Sequence, residues 1–377
     1  MQSKGSGTIG IIGTAIAGLS AAIGVANAGY QVAIFGKVAD KLPGALQLAP
    51  NGFDALVQLG ALEAVRPHLM RLSAIELRSV RTNGCLTVID HDRPQARDYA
   101  SVGRHDLHKS LLALARQHSL ISFCDEMVTN LTCNQDITCV RSESGTVHPM
   151  SLIIGADGQN GLARRMIAPH DHKDKGARQA LRAVVPSGEL PRHFSAPRTQ
   201  LWLGEGFHLV SYPFAGGALI NLVLCTPAFA RPASDIVRHY LGQSYSLSVL
   251  CDEAIDWHST PLASASQLST WRKYGLIVVG DAAHIMPPHL AQGAGQTLED
   301  AASLHLALLQ TGDLRQAASQ WAVQRARTLS PIIDKAEATG RLMRLSGPMA
   351  KLRNAAIEMG GGRLVESWLS QVWHSPR

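Results

Sequence analysis

Gly13 and Gly18 bracket Thr14-Ala-Ile-Ala17, directly after the β-branched run Thr8-Ile-Gly-Ile-Ile12 and before an alanine-rich stretch. A tight turn between a strand and a helix points the free N–H groups of the helix start at a bound anion. In the dinucleotide fingerprint the first glycine permits the turn, the second lets a pyrophosphate approach, and the third lets helix pack on strand. Here the first and third are Gly13 and Gly18, and Ala15 takes the place of the second. The acid that would grip ribose hydroxyls after the next strand is also absent: Val32-Ala-Ile-Phe35 runs into Gly36-Lys37. Gly13, Ala15, Ala17, Gly18, Gly36 and Lys37 therefore form a candidate nucleotide cradle with two members changed. For this segment alone, a glycine-rich turn with no ligand is the competing reading. If Gly36 is simply a lost acid, Gly36→Glu should tighten binding.

Two later segments add to this. One is Ile153-Ile-Gly-Ala-Asp-Gly158, continuing to Arg164. The other runs from Ile277 through Gly280-Asp-Ala-Ala-His284, Pro287-Pro288-His289 and Gly293-Ala-Gly295 to Asp300. In order and content these three segments resemble the FAD-dependent aromatic hydroxylases, the single-component flavoprotein monooxygenases that include hydroxybenzoate and salicylate hydroxylases. Gly44-Ala-Leu-Gln-Leu-Ala-Pro-Asn51, Arg104-His-Asp-Leu107, Trp202-Leu-Gly204 and Tyr212-Pro213 fit as well, so the likeness runs from about residue 8 to 330.

The resemblance implies FAD as cofactor and NAD(P)H as co-substrate. It implies hydroxylation by O2, through a C4a-hydroperoxyflavin, of an aromatic or N-heteroaromatic small molecule: phenol-like, a carboxylated ring being one form. It places Asp281 on the ribityl chain and Pro287-Pro288 against the flavin ring. It sets the helix start at Gly293, Ala294 and Gly295 beside the ring edge that becomes anionic on reduction. It assigns Gln47 and Arg104 to the cofactor, the Val128 backbone to the adenine, and Asp157 to both FAD and nicotinamide nucleotide. Arg164 matches the end of the Asp-Gly segment, where Gly161 replaces the usual Ser. On the substrate side Tyr212 is a candidate to hydrogen-bond or stack on the ring, and His208 to help deprotonate a hydroxyl. Arg182 is a candidate partner for a carboxylate, and Pro288 and His289 lie beside the flavin loop. For each of these, ordinary packing competes, and His284 reads as structural. The alternatives are a same-fold oxidase or reductase, and a non-catalytic degenerate flavin fold. A serine hydrolase is excluded because no Gly-x-Ser-x-Gly follows a strand.

The elements that must position these residues follow from patterning. Leu19 to Ala28 reads as a helix and Gln31 to Phe35 as a strand, so the first 36 residues make one βαβ unit. No charge appears between Lys4 and Lys37, but glycines break the run, which argues against a membrane helix or signal peptide. Residues 51–66 and 104–118 read as helices, 121–153 as three strands, 178–226 as strand-rich, and 297–310, 314–329 and 331–345 as helices. The predicted fold class is α/β: a Rossmann-like FAD-binding domain of the GR2 type, an inserted β-sheet substrate domain and a helical C-terminus. The expected division is 1–70, 100–175 and 265–345 for FAD, 71–99 and 176–264 for substrate, and 346–377 for the helical segment. The expectation is a compact member of that family, without the extra C-terminal domain of the larger phenol hydroxylases.

The 377 residues are 46% apolar and 17% charged, which excludes disordered, collagenous and disulfide-miniprotein classes. A net charge of +6 with scattered basic residues gives no nucleic-acid or anionic-membrane patch. Six cysteines without Cys-x-x-Cys or zinc-ligand spacing read as free thiols, so neither a metal site nor a disulfide framework is expected. A cytoplasmic monomer or homodimer is the expectation.

Overall fold

The computed structural model describes residues 7–93, 97–169, 178–310 and 312–373. The expected boundary at 175/176 and the last four residues of the C-terminal segment lie outside them. Thr8–Ile12 is buried and pairs in parallel with Gln31–Phe35 on one side and Leu152–Gly155 on the other. The full sheet runs Arg272–Lys273, Leu276–Val278, Leu152–Gly155, Thr8–Ile12, Gln31–Phe35, Ile121–Cys124, antiparallel only at the first pair. Parallel strands need both faces covered, hence the unbroken apolar runs Ile9–Ile12 and Leu276–Val279. The chain leaves Thr8–Ile12 in opposite directions on its two sides, and ligands bind at the carboxyl ends of strands at such a switch point.

The charge-free N-terminal stretch is thus strand, turn, helix and strand, with Ile16–Asn27 as the helix. Its Gly24 lies so close to a second helix that a Cβ there would stand 2.8 Å from the Ala301 carbonyl oxygen. Among the described residues no helix is long and apolar enough to cross a membrane.

The second sheet has seven strands: His258–Leu262, Arg178–Pro186, Leu219–Pro227, His208–Phe214, Arg198–Leu203, Ala74–Ser79 and Cys85–Asp90. Side chains alternate across it. Leu181, Ala183, Leu209, Ile220, Leu222 and Trp202 enter a core closed by Ile236 and Val237 of the helix Ala233–Leu241. Arg182, His208, Val210, Tyr212, Val223 and Cys225 face the opposite way, toward the first sheet.

Two readings of the patterning change. Residues 121–155 form five strands rather than three: Asn134 closes one turn by accepting from the N–H groups of Asp136 and Ile137, and Gly145, at φ +85°, closes another by donating to the Ser142 carbonyl at 3.0 Å. Leu314–Met343 is one 30-residue helix that passes through Pro331. Proline there removes one hydrogen bond, but buried Leu329, Ile332 and Ile333 on either side anchor the helix to the core. The last helix, Gly347–Trp373, kinks at Gly361, where φ is +61°.

Candidate active site

Both fingerprint glycines are enforced by contact. Gly13 has φ +111° and a Cβ would lie 2.5 Å from the Ala156 carbonyl oxygen; a Cβ on Gly18 would lie 1.8 Å from that of Gly13. Ala15 is the N-cap of the first helix at φ −78°, ψ −176°, a conformation any residue adopts. The turn is tied down by His108 Nε2, 2.8 Å from the Thr14 carbonyl, and by the Thr14 hydroxyl, which donates to the Lys37 carbonyl at 2.8 Å.

Ala15 and Ala17 wall a cavity of about 380 Å³, together with Gln47, Arg104, Asp281, Gly293 and Ala294 on the side of the first sheet. Gly13, Gly18 and Gly295 stand behind this wall. Gly36, Lys37, Val128 and Asp157 are not part of it either. Lys37 instead pairs with Glu143 at 3.1 Å on the surface, and Val128 opens a strand of a separate three-stranded sheet.

Gly36 corrects the expectation drawn from its missing acid. Its φ is +129°, which an L side chain rarely adopts, so Gly36→Glu would strain the turn rather than restore a simple ribose grip. Asp157 caps the short helix Leu162–Ile167, accepting from the Ala163 N–H at 3.0 Å, while its other oxygen is buried without a partner. Burial pushes this carboxyl up. A Cβ at Gly161 would fall 2.1 Å from that carboxylate, which explains glycine where a serine was expected.

The turn that presents Asp281 is braced from behind. Asp300, fully buried, accepts from the Gly280 N–H, His284 Nε2 and Arg325 Nε, each at 2.8 Å. Burial raises the Asp300 carboxyl, but His284 and Arg325 outweigh it and hold it below the ordinary value. Arg164 donates to the Ala282 carbonyl at 3.0 Å. His284 is thus structural, as its small apolar neighbours suggested, and Trp271 stacks on it at 5.4 Å. Sequence reading missed Arg325, and missed Asp300 as the hub; the acidic end of the third motif was the only signal.

After Pro287-Pro288 the chain turns through Ala291 at φ +53° and starts the helix Gly293–Gln310. Asn51 fixes this start by donating to Gln292 and Glu299 at 2.9 and 3.1 Å. A Cβ on Gly293 would meet nothing within 4 Å, so the unpaired N–H end of an 18-residue helix opens on the cavity.

The opposite wall is the second sheet: Arg182, His208, Val210, Tyr212, Val223 and Cys225. The Tyr212 hydroxyl is not free to serve a substrate as donor. It donates to the Ala45 carbonyl at 2.9 Å, while Asn221 accepts from the Ala45 N–H at 3.1 Å. Together they latch the strand Ala45–Leu48, which carries Gln47, onto the sheet. His208 is fully buried, and neither of its ring nitrogens has a partner. Burial, then the neighbouring His289, hold its pKa well below the ordinary value. The two rings stand edge to face at 5.2 Å. Burial takes His289 down to about 4 and pushes the Cys225 thiol up to about 12. His289 faces a second cavity of about 500 Å³, whose wall shares Gln47, Val210, Pro288 and Ala291 with the first.

The first cavity fits FAD by its donor set: an open helix start, a free carboxylate at Asp281, and small residues where a pyrophosphate must come close. Comparison with known proteins agrees. An FAD binding domain family model matches residues 234–327. The 3-hydroxybenzoate 6-hydroxylase of Klebsiella oxytoca is 26% identical over 91% of this chain and 90% of its own. A 3-amino-4-hydroxybenzoate 2-monooxygenase of Streptomyces platensis is 29% identical over 78% and 77%. Among solved structures, Klebsiella pneumoniae HpxO with FAD and uric acid gives a TM-score of 0.86 at 19% identity, covering 99% of this chain and 98% of that one. A salicylate hydroxylase substrate complex gives 0.81 at 21%, covering 99% and 97%. Fold and site together define an α/β flavoprotein that uses FAD. The curated relatives that the chain resembles across most of its length are aromatic hydroxylases and monooxygenases.

Proposed function

We propose that this enzyme hydroxylates a phenol-like aromatic or N-heteroaromatic molecule, converting a ring C–H to C–OH with one oxygen atom of O2. The other oxygen leaves as water, and NAD(P)H supplies the two electrons. The observation that carries the reading is the pairing of two walls across one cavity. Asp281 and the open start of Gly293–Gln310 stand on one side, and the sheet face with His208 on the other. Bound FAD supplies the redox chemistry that activates oxygen. Ala15 and Ala17 would receive its pyrophosphate, Asp281 its ribityl hydroxyls, and Gln47 and Arg104 its ring end. Gly293, Ala294 and Gly295 would offer backbone N–H groups to negative charge on the ring edge. Gly13, Gly18, Gly36, Lys37, Val128 and Asp157 then shape or flank the nucleotide end.

On the substrate side, Pro288 limits how deep the ring sits. His208 and His289, held neutral by burial, are poised to accept a phenolic proton as a hydrogen bond. Tyr212 acts as a positioning residue through Ala45. The curated relatives act on hydroxylated benzoates and 6-hydroxynicotinate by name, which supports an electron-rich ring. Six free cysteines fit a cytoplasmic setting, and we read the protein as a monomer or homodimer.

The test is an absorbance spectrum of the purified protein after equilibration with excess FAD and desalting, followed by NAD(P)H oxidation against a panel of phenols. Retained flavin bands and substrate-stimulated oxidation with less than stoichiometric H2O2 are expected. Absence of retained flavin would favour the degenerate-fold reading that Ala15 and Gly36 suggest.

A further inference from the structure

The 500 Å³ cavity begins where the flavin cavity ends and runs between the second sheet and the last two helices. Its polar groups are sorted by position. Near the shared wall, Gln47 Nε2, Thr199 Oγ1 and His289 Nδ1 are buried and have no hydrogen-bond partner. Toward the far end every polar group is engaged. Arg353, the one Lys or Arg in the wall among the described residues, donates to the carbonyls of Gly204, Leu342 and Met343. The Thr339 hydroxyl donates to the Lys335 carbonyl and accepts from Trp368. The rest of the lining from the last helix is aliphatic apart from Trp368 and Trp373. Met349, Leu352 and Leu364 line it while remaining 52, 61 and 57% exposed, so the cavity opens to solvent between them.

A cavity of this size suits a ligand well beyond a single ring. Its unpaired donors and acceptors lie at the flavin end only, and it holds no free cation for a carboxylate. We infer that the substrate is an uncharged aromatic head bearing an apolar alkyl or prenyl tail. The ring hydroxyl meets Thr199 and His289, and the tail runs out past Leu342 and Leu352. The inference rests on the hydroxylase reading and narrows it: the carboxylated ring admitted from the sequence is replaced by a neutral, tailed one.

The test titrates the FAD-loaded protein with phenol, 4-propylphenol, 4-heptylphenol and 3-hydroxybenzoate. Binding is followed by flavin absorbance and, independently, by tryptophan fluorescence, since Trp368 and Trp373 wall the cavity. Burial of each methylene should tighten Kd roughly two- to fourfold, so that heptylphenol binds about a hundredfold or more tighter than phenol. 3-Hydroxybenzoate should bind no tighter than phenol. Leu352→Asp, at an exposed position, should weaken heptylphenol by about tenfold or more and leave phenol nearly unchanged. A Kd independent of chain length, or 3-hydroxybenzoate as the tightest ligand, overturns the inference. Protein that keeps no flavin overturns the hydroxylase reading instead, and the fluorescence series still reads the cavity's preference by itself.

Discussion

Ala15 and Gly36 each stand where the dinucleotide fingerprint has another residue, and the backbone treats them differently. The Ala15 backbone is extended and its methyl costs only space, so Ala15→Gly should gain about 0.5 kcal/mol as a better N-cap and leave FAD affinity within about threefold. A tenfold tightening in a fluorescence titration would mean that the methyl obstructs the pyrophosphate. Gly36 holds φ +129°, so Gly36→Ala should cost about 1–3 kcal/mol, read as a lower urea midpoint. An unchanged midpoint would show that the turn relaxes freely. His289 carries a pH signature. Its pKa is about 4 when folded against about 6.5 for a solvated histidine, so the unfolded chain binds the extra proton first as pH falls. Its contribution to stability is complete above pH 6.5 and disappears between 6.5 and 4, at most about 3 kcal/mol. His289→Asn should flatten the fall of the urea midpoint across that window; His208, shifted the same way, keeps part of it. Identical pH slopes in the two proteins would contradict the burial argument.

At the scale of elements, the helix Gly293–Gln310 does two jobs from one segment. Its open start faces the cavity, and Asp300, within its length, holds the Gly280 N–H and so the Asp281 turn. Asp300→Asn leaves Arg325 buried without its closest carboxylate, Glu299 being 3.7 Å away. Breaking one partner of such a buried ionic group costs about 3–5 kcal/mol. Chemical denaturation should show that loss, and flavin retention should fall with it. Full stability in Asp300→Asn would make the trio dispensable. The strand–glycine–helix start and the long third motif were legible in the sequence because their signals are local: β-branched runs, small-residue turns and a Pro-Pro step. Arg325 was not, since its partner lies 25 residues away on another helix and no spacing links them. Nor was the fate of the Tyr212 hydroxyl, whose acceptor at Ala45 is 167 positions distant. The continuous helix through Pro331 was hidden for a related reason. Local propensity marks proline as a break, and only tertiary packing of Leu329, Ile332 and Ile333 overrides it.

At the scale of the molecule, the cavity belongs to both sheets at once. Ala15, Ala17, Arg104 and Asp281 come from the parallel-sheet half, Arg182, His208 and Tyr212 from the seven-stranded sheet. The strand Ala45–Leu48 crosses between them, held through both the N–H and the carbonyl of Ala45. A ligand that fills this space touches both walls, so its binding energy should stabilise both halves. At a free FAD concentration of a hundred times Kd the gain is about 2.7 kcal/mol. Scanning calorimetry with and without FAD should therefore show either one transition moving up, or two that move up together. Tyr212→Phe removes the bond to the Ala45 carbonyl, and its apoprotein should separate the two transitions further while FAD draws them back. If FAD raises one transition and leaves the other where it stood, the cofactor rests on the parallel-sheet half alone, and the sheet wall with His208 is not part of its site.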